Sequence, residues 1–79
     1  MFKKKWKYKI TGTDGNCMIF GVNIFDLEWH GTGETVKIMD PQYHQEYTFD
    51  IYTVDIEGQN KKFAAREFSN CVWGFYLWE

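Results

Sequence analysis

Seventy-nine residues carrying 16 aromatics (four Trp, five Tyr, seven Phe) make one domain, 1–79, with a thin core. That length excludes a multidomain enzyme, a dinucleotide-binding βαβ pair and a barrel of βα units. The net charge of −2 hides a split, because residues 1–9 carry five Lys and no acid while residues 10–79 balance at −7, so nucleic acid is an unfavoured partner except at the N-terminal strand.

Val, Ile, Thr and the aromatics total 32 residues against seven Leu, Ala and Met, a composition suited to pleated, half-buried surfaces. The chain reads as an all-β, small antiparallel meander of about six strands. From Lys5 to Ile10 polar and apolar residues alternate, which predicts a strand with Trp6, Tyr8 and Ile10 on one face and Lys5, Lys7 and Lys9 on the other. Asp14-Gly15 supplies the hairpin turn that follows.

Residues 17–29 are apolar first at even positions (Met18, Phe20, Val22, Ile24) and then at odd ones (Phe25, Leu27, Trp29). The change of phase predicts a bulge near Asn23 to Phe25. His30 to Gly33 reads as a turn, and Glu34 to Met39 as a short strand, with Val36 and Ile38 inward, that ends at Asp40-Pro41-Gln42. A second change of phase falls between Tyr47, Phe49, Ile51 and Tyr52, Val54, Ile56. Two strands that each change face predict a strongly coiled or barrel-like sheet.

Glu57-Gly58-Gln59-Asn60 forms another turn. Lys61 to Phe68 reads as a strand with Phe63 and Ala65 inward, with one short helix near 61–69 as the alternative. Val72 to Glu79 is a final strand, apolar on both sides and therefore central or covered.

No acid, base and nucleophile set stands at a catalytic spacing, so a non-enzyme is expected. His30 and His44 lack metal-ligand spacing, and neither cofactor nor metal is expected. Cys17 and Cys71 begin apolar runs and are expected to be buried, inert thiols in a reducing compartment. With no apolar segment long enough to span a bilayer and no signal-like N-terminus, a soluble cytoplasmic protein without membrane contact is expected.

Gly21 and Gly74 lie inside apolar strands and mark a barrel corner or the floor of a small pocket. The other glycines fall in expected turns.

Function is sought where aromatics exceed the needs of a core. Trp6, Tyr8, Phe20, Phe25, Trp29, Phe49 and Phe63 occupy inward positions, and the surplus gathers in residues 72–78. Trp73, Phe75, Tyr76 and Trp78 are therefore the candidate binding residues, for a protein partner (an inhibitor's target included) or a homodimer, because exposed Trp and Tyr serve as anchors. A small-ligand-binding β-barrel is the first alternative. The second is nucleic-acid binding through Lys5, Lys7 and Lys9, disfavoured because alternation turns the Lys row away from Trp6 and Tyr8. The edge-strand reading has those Lys blocking aggregation instead.

Overall fold

The computed structural model describes residues 5–40 and 44–79, and for Tyr8 and Lys9 the backbone alone. The expected turn at Pro41 and the side chains of Lys3, Lys4, Tyr8 and Lys9 lie outside what is described. The fold is all-β, with seven strands among the described residues: β1 Trp6–Thr13, β2 Met18–Ile19, β3 Val22–Asn23, β4 His30–Asp40, β5 Gln45–Ile56, β6 Gln59–Ser69 and β7 Val72–Trp78. Five of them form one antiparallel sheet in the order β1-β7-β6-β5-β4, curled into a half-barrel, and β2 and β3 form a separate small hairpin. β4 to β7 are a meander, and β1 returns to lie beside β7. The strand reading of 61–68 holds over the helical one, and β7 is central.

Hairpin turns follow the local chemistry. Asp14-Gly15 and Glu57-Gly58 both carry two consecutive positive φ angles, 53° and 74° then 51° and 80°, the geometry that matches the twist of the flanking strands.

The sheet buries its two faces in different ways. The covered face carries Val54, Phe63, Ala65, Phe75 and Leu77, over which residues 17–29 fold with Cys17, Ile19, Ile24, Phe25, Leu27 and Trp29. Asn23 organises that cover: its Oδ1 accepts from Cys17 N at 3.1 Å and Phe25 N at 3.2 Å, and its Nδ2 donates to the Gly15 carbonyl at 3.3 Å. The Trp29 indole N–H donates to the Ile24 carbonyl at 2.7 Å and its ring meets Phe63, Tyr52 and Trp73 edge-on at 5.1 to 5.6 Å. Gly12, expected in a turn, lies in β1, where a Cβ would stand 2.8 Å from Cys17 Cβ, so its bareness lets the cover approach the sheet.

The far face carries Phe49, Ala64 and Tyr76, with Trp6, Val36, Ile38, Tyr47 and Phe68 packed around them. All of these come from the sheet's own strands.

Several expected details are corrected. The phase change in residues 17–29 is a tight β2–β3 hairpin followed by a 3₁₀ turn, Ile24–Asp26, because the segment crosses the sheet as a cover rather than running within it. The expected turn at His30–Gly33 is the start of β4, whose register shifts between Gly31 and Thr35 around the positive-φ Gly33. The change of phase in β5, by contrast, is one strand serving two sides as expected, with a register to β6 that is continuous from Asp50↔Ala65 to Ile56↔Gln59. Tyr47, Phe49 and Ile51 serve the far face, and Tyr52, Val54 and Ile56 the covered one. The strict alternation expected of β1 is broken by a shift between Lys7 and Ile10, which leaves Trp6 opposite Trp78 on the far face and Ile10 opposite Phe75 on the covered one. Cys17 is buried, but Cys71 is exposed, in the β6–β7 turn with φ 64°.

Candidate functional site

The four C-terminal candidates do not share one surface, because alternation along β7 divides them. Trp73 and Phe75 point to the covered face, stacked at 6.3 Å and 16°, with Phe75 fully buried against Phe25 and Trp29. Tyr76 and Trp78 point to the far face, Tyr76 at its floor and Trp78 half-buried.

On the far face, three strands place large side chains in one cross-strand row. Trp6 pairs with Trp78 across β1 and β7, and Lys62, adjacent to the Phe63↔Leu77 pair, continues the row on β6. The two indoles lie 4.7 Å apart and 55° from coplanar, and the Lys62 ammonium stands 4.9 Å from the Trp78 ring and 5.9 Å from that of Trp6. Cation–π attraction of about 0.5–2 kcal/mol per contact holds an ammonium in such a position.

A second cation–aromatic group stands four residues along β6. The Arg66 guanidinium lies 5.2 Å from the Tyr47 ring and 5.5 Å from that of Phe68, and Nη1 donates to the Thr48 carbonyl at 3.1 Å. Among the described residues its buried Nε has no hydrogen-bond partner. Phe68 in turn meets Tyr47 edge-on at 5.0 Å and lies across Gly74, where a Cβ would stand 2.4 Å from the ring.

Each face carries charges of both signs, with Lys7, Lys37 and Lys61 on the covered one, opposite Leu77, Thr48 and Val54. Register places Asp50 and Glu67 on the covered face, beside Ala65 and Trp73, and Glu46 with them by alternation along β5. Lys62 and Arg66 face the other way. The far face also carries carboxylates, among them Asp55, which accepts from Asn60 at 3.1 Å, and Asp40, which is 1% exposed.

Of the N-terminal lysines, Lys5 is exposed and its backbone is tied to Glu79 by two hydrogen bonds of 2.7 and 3.0 Å. Lys7 stands opposite Leu77 on the covered face, and only the backbone of Lys9 is described. Trp6 therefore shares its face with Lys62 rather than with a Lys row.

The glycine expected to floor a pocket, Gly74, has its space filled by Phe68, and Gly21 belongs to the β2–β3 turn. Among the described residues no three His, Cys, Asp or Glu gather as metal ligands, and His30 and His44 are exposed. Burial pushes the Cys17 thiol up from its ordinary 9.0. Burial, and secondarily the Asp50 charge, push the Tyr52 phenol up from 10.0.

Sequence reasoning missed Lys62 and Arg66 as site residues. The available signal was parity: with Phe63 and Ala65 inward, both cations belong to the opposite face. No family model, curated protein or solved structure matches the chain. Among the described residues no helix is long and apolar enough to cross a membrane.

Proposed function

We propose that the protein is a non-catalytic β-domain that acts by binding a protein partner through its far face, with Trp6, Trp78 and Lys62 as the central contact and Tyr76 supporting it from below. The observation that carries this reading is the cross-strand row itself, two half-buried indoles at 4.7 Å beneath one ammonium. Trp side chains at a surface are the commonest energetic anchors of protein interfaces, and a rigid pair loses little entropy on docking. Free thiols at Cys17 and Cys71 support action in a reducing cytoplasm.

Panning a random peptide library against the wild-type protein and a folded Trp78→Ala variant tests the reading. Enrichment of peptides that bind the wild type and not the variant is the expected outcome. Enrichment of nothing, or of peptides that bind both equally, contradicts it. Light scattering on the eluting protein separates a second copy of this chain from a foreign partner.

A further inference from the structure

We infer, on the reading above, that the partner presents an acidic extended segment whose carboxylates dock at Lys62 and Arg66. The two cations lie on the same face of β6 four residues apart, about 13 Å at the rise of an extended strand. An extended partner segment lying along β6 with carboxylates four residues apart repeats that spacing. A carboxylate side chain complements each cation within its aromatic setting, since rings solvate the charge without accepting N–H groups as oxygen does, and Arg66 Nη1 alone already has an oxygen acceptor among the contacts described, the Thr48 carbonyl.

The rings favour an anion that arrives from the side. The Trp78 ring already has Lys62 at 4.9 Å and Trp6 at 4.7 Å, so stacking a planar group on it means displacing one of them. Ring edges carry the positive end of the aromatic quadrupole, and a carboxylate beside them meets both the edges and the ammonium. Phe49, Ala64 and Tyr76 are already covered, at 1%, 0% and 7% exposure, so an apolar residue between the two acids meets the half-buried side chains packed against them.

Single-stranded nucleic acid presents the same anionic chemistry in another form, but the molecule opposes it at longer range. The chain as a whole is acidic, with residues 10–79 balancing at −7 and Asp26 and Glu28 exposed on the cover, which disfavours a polyanion that extends beyond two sites. A short acidic segment engages both cations without bringing that excess charge.

Fluorescence anisotropy with a labelled decapeptide carrying two Glu four residues apart, with Leu the middle one of the three residues between them, tests the inference against the same peptide with Gln at both positions and against a labelled oligothymidylate. The Glu peptide is expected to bind at least about tenfold more tightly than the Gln peptide, and to weaken as salt is raised. Lys62→Glu and Arg66→Gln should each cost at least about tenfold, while Lys37→Glu on the opposite face leaves binding unchanged. Lys62→Glu, at a half-exposed position, keeps the test decisive if the Arg66 variant fails to fold. Equal binding of the Glu and Gln peptides, or Lys62-dependent binding of the oligothymidylate alone, overturns the inference. Neutral library peptides that need Trp78 overturn it while leaving the proposed function intact, whereas a library that yields none removes both.

Discussion

Trp6 and Trp78, separated by 71 intervening residues, face one another across the antiparallel β1–β7 pair with ring centroids 4.7 Å apart. The contact joins the two ends of the described chain, which the reciprocal Lys5–Glu79 backbone hydrogen bonds also tie together. Aromatic pairs of this kind contribute about 0.5–1.5 kcal/mol beyond the area they bury. A double-mutant cycle of Trp6→Ala and Trp78→Ala in urea should return a coupling of that size, and additive losses would show that the rings act independently.

Gly74 and Phe68 give a second coupled pair. A methyl group at Gly74 would meet the Phe68 ring at 2.4 Å, so Gly74→Ala should cost about 1–3 kcal/mol through overpacking. In a Phe68→Ala background the same change should cost little or stabilise, because a bare glycine weakens a strand. Equal costs in both backgrounds would refute the steric account.

The interior of the covered face should tolerate truncation poorly. Phe63, fully buried and in contact with Trp29, Tyr52 and Phe75, should lose about 3–5 kcal/mol on conversion to Ala, much of the total stability of a domain this size. Thermal denaturation followed by circular dichroism measures it, and a near-native transition would mean that the cover repacks.

The two cysteines should behave oppositely. Cys71 is exposed and should react promptly with a thiol reagent, whereas Cys17, buried beneath the cover, should react only as the protein opens. Because folding raises the Cys17 pKa, the associated stability is fully present below 9.0 and declines as pH rises through the higher folded value. The raised Tyr52 pKa acts in the same direction from 10.0 upward. Urea midpoints should therefore fall above about pH 9, less steeply in Cys17→Ala, and a rise over that range would contradict the assignment.

Much of this architecture is legible in residue order. Asp14-Gly15 and Glu57-Gly58 announce their turns, and the parity of Phe63 and Ala65 fixes the inward face of β6. The β5 change of face is equally visible, and its cause is that opposite ends of the strand serve opposite cores. What alternation could not reveal was non-local. The shift between Lys7 and Ile10 takes its form from pairing with β7, and it removes Trp6 from the face that Ile10 joins. Nor does a sequence show that residues 17–29 leave the sheet to cover it, since a hairpin with a 3₁₀ turn and a bulged strand produce the same apolar phase change. The candidate site was half legible for the same reason: Trp78 and Tyr76 stood out by composition, but their neighbours Trp6 and Lys62 arrive from other strands, and Trp73 and Phe75 are committed to the opposite core.

The central claim is that the far face is the one that binds. Proton–nitrogen correlation spectra recorded while a library-selected peptide is titrated into the labelled protein test it most directly. The indole signals of Trp6 and Trp78 and the amides of residues 62–66 should shift together, while the Trp29 indole, bonded to the Ile24 carbonyl, stays in place. Shifts confined to the 17–29 cover or to β4, with both terminal tryptophans unmoved, would contradict the claim.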